Sequence, residues 1–306
     1  MMGSHAFAMV NLTDRKSIKW QRRPLAVVDT NWMPLPGNDN DLEDTMSPVK
    51  YFYRYIPTQL FEEMAEFTNI YALQQGTLNF DITNGQELQV LVGLHIMMGA
   101  LKFPRVHLYW DKALGLNFFN AMTKNRFFKL WNHLHLVNNL EHDKSCKDRL
   151  FKVRPIFQAV QKRCKELDLE QKLCVDEQMV PFKGTLSVKQ YIKGKPYKWG
   201  VKIFMLCGES GLCYDFIIYQ GKTTEIEEGL QKTFGFGGAV VLHLSERIYE
   251  TGNQNHQLYF DNYFTNFNML QALKHKNILA AGTARANRLS KPPTMTDKEV
   301  LKQERG

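Results

Sequence analysis

At Leu173 the hydrophobic pattern of this 306-residue chain changes its period, and that change limits the fold more than any other feature. Before it, apolar residues recur at spacings of three and four, the mark of helices buried on one side. Leu60, Phe61, Met64 and Phe67 place one such helix after Pro57-Thr58. The segment Leu88 to Leu101, apolar nearly all round, predicts a central helix covered by its neighbours. A third helix starts at Thr123, with Phe127, Phe128, Leu130, Trp131 and Leu134 on a broad face. A fourth, interrupted by Pro155, is predicted from about Arg149 to Glu170.

After Leu173, the short segments LCVDEQMV, VKIFMLC and CYDFIIYQ are rich in Val, Ile, Phe and Tyr, with Gly- and Lys-bearing turns between them. They predict three antiparallel strands. A helix over 224–234, a strand AVVLHL, a helix-like SERIYETG, a strand QLYFD, a helix over 264–276 and a strand ILAAGT complete the pattern. The order β-β-β-α-β-α-β-α-β predicts an α/β fold with a mixed sheet, a meander followed by units that extend it in parallel. Residues 1 to 48 are polar, carry Pro34, Pro36 and the acid-rich PGNDNDLEDT, and predict a mobile arm.

With 44% apolar residues the chain can bury a sizeable core. No apolar run reaches membrane-spanning length, and the first twenty residues lack the order of a secretory signal. The five cysteines are odd in number and form no C-x-x-C pair, so neither a disulfide framework nor a zinc site is indicated. These features predict a soluble intracellular protein with no membrane partner.

The net charge of +8 is compatible with a polyanionic partner, and its distribution is more informative than its sum. From Gln178 to Gly208 there is no acid but six lysines, Lys183, Lys189, Lys193, Lys195, Lys198 and Lys202. Arg15, Lys16, Lys19, Arg22 and Arg23 form a second acid-free cluster, and Arg285, Arg288 and Lys291 a third. The first reads either as a solvated loop or as an edge that meets a nucleic-acid backbone. The second reads as a nuclear import signal, a DNA-contacting arm or solubilising charge.

Asp176 sits inside the apolar strand Leu173-Cys174-Val175-Asp176, and Asp261 closes Leu258-Tyr259-Phe260-Asp261. A carboxylate so placed must be paired, hydrated at a strand end or bound to a metal, because an isolated buried charge is too costly. Each alone reads as a turn cap or a partner of a lysine. If the two strands are neighbours, the pair also fits a divalent cation such as Mg²⁺, which takes one or two protein carboxylates and completes its shell with water and phosphate. Glu177 is a further candidate, although strand alternation points it away from Asp176. His95, between Leu94 and Ile96, reads as a core histidine, and Trp199 as a core residue in preference to a platform for a base.

The run Val175-Asp176-Glu177-Gln178-Met179-Val180-Pro181-Phe182-Lys183-Gly184, continued by Gln190-Tyr191-Ile192-Lys193-Gly194-Lys195-Pro196-Tyr197-Lys198-Trp199-Gly200-Val201-Lys202, resembles the signature of the piggyBac transposases and their domesticated descendants. Asp261-Asn262-Tyr263-Phe264-Thr265-Asn266 and Gly282-Thr283-Ala284-Arg285-Ala286-Asn287-Arg288 are similar to a second stretch of that family. Looser likeness reaches back to about Val49. Beyond the disordered basic and acidic arm over 1–48, the resemblance implies a helical DNA-binding and dimerisation region over 49–170, an RNase H-like core over 171–285, and over 286–306 the start of an insertion region cut short. It also implies Asp176 and Asp261 as the first two of three catalytic, metal-binding aspartates, holding Mg²⁺ or Mn²⁺. The implied partners are double-stranded DNA at transposon ends and TTAA targets, with the six lysines, Arg285 and Arg288 as its contacts, and a second copy of the chain in a homodimer. The implied location is nuclear. The family's third aspartate, in a G-G-V-D-x-x-D-Q-like stretch, and its cysteine-rich module do not occur up to Arg305-Gly306. The DDE core is therefore expected to be incomplete, to hold metal weakly, and to cut DNA weakly or not at all. A non-enzymatic chromatin or protein-interaction module, and a degenerate product without a selected role, are the competing readings.

Overall fold

The computed structural model describes residues 17–21, 24, 27–32, 46–141, 143, 145–250, 255–290, 292–295, 299 and 301–302. Of the predicted basic clusters, Arg15, Lys16, Arg22, Arg23 and Lys291 lie outside the described residues. The chain divides into two compact units, one over 42–164 and one over 165–306 together with the N-terminal segment.

The first unit is helical, with α1 (Pro48–Tyr55), α2 (Thr58–Gln74), α3 (Gly85–Leu101), α4 (Phe118–Ala121) and α5 (Lys124–His133), followed by the start of α6 (Arg154–Glu166). Leu60, Phe61 and Met64 of α2 meet Leu88 and Leu91 of α3 and Phe127 and Leu130 of α5 in one core. The predicted periodicity is thus the one that packs. Two expectations need correction. In α3 only Gly85, Leu88, Leu91 and Leu94 are buried, while Val90, Ile96 and Met97 are exposed, so all-round hydrophobicity did not bring all-round cover. Pro155 does not interrupt a helix; it stands in the first turn of α6, where a missing N–H costs nothing. His95 behaves as read from the sequence, stacking on Phe127 at 5.0 Å with Nδ1 2.8 Å from the Leu91 carbonyl oxygen.

The second unit is built on a mixed sheet of β1 (Lys172–Pro181), β2 (Gln190–Tyr191), β3 (Trp199–Gly208), β4 (Cys213–Ile218), β5 (Gln257–Phe260) and β6 (Leu279–Gly282). β1, β3 and β4 form the antiparallel meander, β5 joins β1 in parallel, and β6 joins β5 in parallel. The main strand order is therefore β4-β3-β1-β5-β6, with β2 paired to the start of β3. Helices α7 (Glu228–Glu250) and α8 (Phe267–His275) share one core with Leu173, Val175, Phe204, Leu206, Leu258 and Phe260 of the sheet.

AVVLHL is not a strand: residues 239–244 lie inside α7. Leu230, Phe234, Gly238, Val241, Ser245 and Ile248 are all buried at helical spacing, but the stretch is so uniformly apolar that period could not separate a buried helix from a buried strand. The core order becomes β-β-β-α-β-α-β. Part of the N-terminal segment is also held rather than loose. Trp20 meets Phe267 edge-on at 6.1 Å and donates to the Ser290 carbonyl at 3.1 Å, and the Thr30 carbonyl accepts from Gln171 at 2.9 Å. Aromatic anchors, Trp20 on Phe267 and Trp32 on His256, outweighed the polar composition. Among the described residues no helix is long and apolar enough to cross a membrane.

On α7, burial and the neighbouring Glu250 and Glu227 push the Glu246 carboxyl up to about 7. The folded state then keeps a proton that the unfolded chain releases near the ordinary carboxylate value. Stability therefore falls as pH rises between about 4.5 and 7 and levels off above. Glu246→Gln should remove this slope, losing less stability than wild type between pH 5 and pH 8 in urea titrations; equal losses would refute the assignment.

Candidate functional site

In the parallel pairing of β1 with β5, Leu173 lies opposite Leu258 and Val175 opposite Phe260, and all four side chains are buried. Because side chains alternate across a sheet, Cys174, Tyr259, Asp176 and Asp261 fall on the other face, where each is exposed. Continuing the register by one residue sets Asp176 beside Asp261 on strands that run about 4.8 Å apart. The two aspartates singled out from the sequence thus come to one face of neighbouring strands. The burial of their flanking residues puts them there.

Each carboxylate spends one oxygen locally. Asp176 Oδ1 accepts from the Glu177 amide at 2.7 Å, and Asp261 Oδ1 accepts from the Tyr263 amide at 2.8 Å. Neither Oδ2 makes a hydrogen bond or ion pair with a described residue. Turn capping and ion binding are therefore compatible, since they use different oxygens. Among the described residues no group of three or more His, Cys, Asp or Glu is arranged to hold a metal, so these two carboxylates stand as a pair.

The turn after β5 is clamped from several sides. The Asp261 carbonyl accepts from the Thr265 hydroxyl at 2.9 Å, and Arg288 donates to the carbonyls of Asn262 and Tyr263 at 2.7 and 2.5 Å. Asn266 accepts from the Met269 amide at 2.9 Å, capping α8, and donates to the Phe234 carbonyl at 2.8 Å. That carbonyl is available because α7 breaks at Gly235, whose φ of 69° suits glycine. Two residues on, a Cβ at Gly237 would stand 2.7 Å from the Tyr263 carbonyl oxygen, so the turn can approach the helix only over a glycine. The sequence reading missed this clamp, although the run Phe234-Gly235-Phe236-Gly237-Gly238 inside an apolar stretch carried its signal.

The six lysines divide by burial. Lys183, Lys193 and Lys198 are exposed on the hairpin between β1 and β3, and Arg285 is exposed after β6. Lys189 donates to the Gly184 carbonyl at 2.7 Å and stands over the Trp199 ring at 5.5 Å. Lys195 pairs with Glu177 at 3.2 Å. Lys202 departs from the sequence reading. It is only 9% exposed, on the helix-covered face, with its ammonium 4.6 Å from the Phe204 ring and 4.5 Å from the Tyr263 ring. Burial lowers the affinity of Lys202 for its proton, while Glu177, Asp261 and Asp176 act against that shift. Its place is between the sheet and the Asp261 turn rather than against a phosphate. Arg288 likewise serves the turn. Trp199 is 55% exposed, not a core residue, because it alternates with Gly200, Lys202 and Phe204 and so stands on the face of β3 that the helices do not cover.

A β4-β3-β1-β5-β6 order with an antiparallel and a parallel half is that of the RNase H-like fold. Residues 47–306 match the family model described as Transposase IS4, and the chain belongs to that family, in its piggyBac group. Among curated human proteins it is 28% identical over 299 residues to PiggyBac transposable element-derived protein 3, covering 94% of this chain and 48% of that protein. It is 27% identical over 294 residues to PiggyBac transposable element-derived protein 2, again covering 94% and 48%. The chain thus spans about half the length of the curated relatives it matches. A cryo-EM structure of the piggyBac transposase synaptic complex with hairpin DNA superposes with a TM-score of 0.67 at 23% identity, over 86% of this chain and 54% of that one. That likeness is one of fold.

Removing the Asn266 side chain takes away both the α8 cap and the bond to Phe234. Asn266→Ala should cost about 1–2 kcal/mol in urea unfolding and speed hydrogen exchange at the Tyr263 and Phe264 amides. A loss under about 0.5 kcal/mol with unchanged exchange would remove Asn266 from the clamp.

Proposed function

We propose that this chain is a DNA-binding protein of transposase descent, in which Asp176 and Asp261 form a divalent-metal half-site beside a basic hairpin that takes the DNA backbone. The single observation supporting this reading is the exposure of Asp176 in β1 and of Asp261 one residue past its parallel neighbour β5, with Lys183, Lys193 and Lys198 exposed on the hairpin leaving the same β1.

The residues present fit Mg²⁺ or Mn²⁺ in kind. They offer hard oxygen donors, each with one oxygen uncommitted to any described residue, on a face open to water and phosphate. When bound, such an ion activates an attacking oxygen and stabilises a leaving one in phosphoryl transfer. The chain's own part is to hold the carboxylates in register, to fix the Asp261 turn through Arg288, Asn266 and Thr265, and to bring a phosphate backbone near through the exposed lysines. Among the described residues these two carboxylates are joined by no third ligand, and a pair alone holds an ion weakly, so the chain should bind DNA and cut it at background level. Double-stranded DNA is the partner, and the nucleus the place where it would be met. The solved fold relative is described in complex with hairpin DNA, which supports the partner class.

A non-enzymatic chromatin module is the second reading, favoured by the absence of a three-ligand cluster among the described residues. Both readings share DNA binding and part over metal.

Each phosphate neutralised contributes about 0.9 to the log–log salt slope. Binding of a duplex across a salt series should therefore show a slope shallower by about 2.7 in the triple variant Lys183→Ala, Lys193→Ala, Lys198→Ala. Mn²⁺ should tighten wild-type binding and leave the double variant Asp176→Asn, Asp261→Asn unaffected. An unchanged slope would end the hairpin assignment, and cleavage of DNA above background would show that the half-site is not catalytically incomplete.

A further inference from the structure

Three of the free cysteines fall in one row across the sheet. Cys174 on β1 is the register partner of Cys207 on β3, and Cys207 is the register partner of Cys213 on β4. Leu173, Val175 and Leu206 are buried, so alternation puts Cys174 and Cys207 on the open face that carries Asp176. Cys213 joins them through a bulge: Leu206 pairs with Asp215 and Cys207 with Cys213, and the extra residue, Tyr214, turns into the core. Cys207 and Cys213 are half-buried, within reach of small reagents.

The turn between β3 and β4 is held in place by its surroundings. Gly208 donates to the Leu212 carbonyl at 2.9 Å, and the Glu170 carboxylate accepts from the Ser210 amide at 3.0 Å and the Tyr214 hydroxyl at 2.8 Å. Arg247 donates to the Tyr214 carbonyl at 2.6 Å. Register partners of an antiparallel pair have Cα atoms about 4.5–5.5 Å apart, inside the roughly 4.4–6.8 Å span of a disulfide. The two thiols therefore face each other without any movement of the chain. The Cys213 thiol lies within hydrogen-bonding reach of the Cys207 sulphur and holds it below the usual thiol range, against burial and the charge of Asp176.

We infer that Cys207 and Cys213 are a redox-active pair that closes a disulfide between β3 and β4 when hydrogen peroxide reaches the open face. The Cys207 thiolate attacks one peroxide oxygen; an S–O bond forms, the O–O bond breaks, and hydroxide leaves and takes up the thiol proton as water. The Cys213 sulphur then attacks the sulfenic sulphur, the S–S bond forms, and the oxygen departs with the second thiol proton as another water. Two thiols give up two electrons, and the peroxide is reduced to two waters. Cys174 faces Cys207 from the other side, but Cys213 shares its hairpin and touches it. A disulfide so exposed belongs to the labile, reversible kind. Neither step uses Asp176 or Asp261, so the pair stands whether or not the acidic face takes a metal.

The test exposes the whole chain to hydrogen peroxide, then unfolds it and blocks the remaining thiols with iodoacetamide before tryptic digestion and mass spectrometry. Cys207 and Cys213 share the tryptic peptide 203–222, which should emerge unlabelled and two hydrogens lighter, while Cys146, Cys164 and Cys174 take the label. Dithiothreitol should restore labelling of both. The native chain should close the bond about tenfold faster than the chain unfolded in urea, because the strands hold the thiols together beforehand. Cys213→Ser should trap dimedone on Cys207, and Cys174→Ser should leave closure unslowed. Labelling of both thiols after peroxide, linkage of Cys207 to Cys174 or to a second chain, or equal rates in urea would each overturn the inference, and these outcomes are read on wild type. Dimedone on Cys213 in Cys207→Ser, with none on Cys207 in Cys213→Ser, would overturn the order of attack.

Discussion

The parallel pairing of β1 with β5 is the constraint on which the site rests. It places Leu173 against Leu258 and Val175 against Phe260, and the burial of these four side chains fixes the register, because a slip of one residue would turn every side chain to the wrong face. Asp176 and Asp261 are neighbours as a consequence. Their own interactions do not draw them together, since like charges side by side repel. The apolar face supplies the binding energy that sets two carboxylates beside one another on the opposite face, and the clamped turn after β5 keeps the second of them from swinging away.

Much of this was legible in the sequence, for identifiable reasons. The meander could be read because its segments are rich in Val, Ile, Phe and Tyr and separated by Gly- and Lys-bearing turns, and the aspartates stood out because each interrupted or ended an apolar run. The parallel extension of the sheet followed from the alternation of helical and strand segments. What could not be read had equally physical causes. Residues 239–244 are buried except for the half-buried His243, so they carry no period to distinguish helix from strand. Exposure at Trp199 depends on which face of β3 the helices cover, and a bulky aromatic on the uncovered face looks like a core residue when read by type alone. Trp20 carries its fixing contact to Phe267 across most of the chain, beyond any local pattern.

The lysine cluster shows how one compositional signal resolves into several physical roles. Lys183, Lys193 and Lys198 remain in water, Lys195 balances Glu177, Lys189 lies across an indole, and Lys202 is held between two aromatic rings behind the carboxylates. Counting them as equal DNA contacts would overstate the electrostatic attraction. The buried one instead ties the Asp261 turn to β3 through Tyr263, so a cation belongs to the scaffold of an acidic site as well as to its surroundings.

The break at Gly235 reaches further than the local turn it accommodates. A helix that ran unbroken through that point would keep the Phe234 carbonyl for itself, and Asn266 would have nothing to grip. The acidic pair therefore depends on a residue with no side chain at all, placed on an element that contributes no functional group. In a lineage that lost the chemistry, the carboxylates themselves would be free to drift first. The glycine would drift last, since the Asn266 side chain that caps α8 also grips the carbonyl the kink sets free, and the outline of the site would outlive its use.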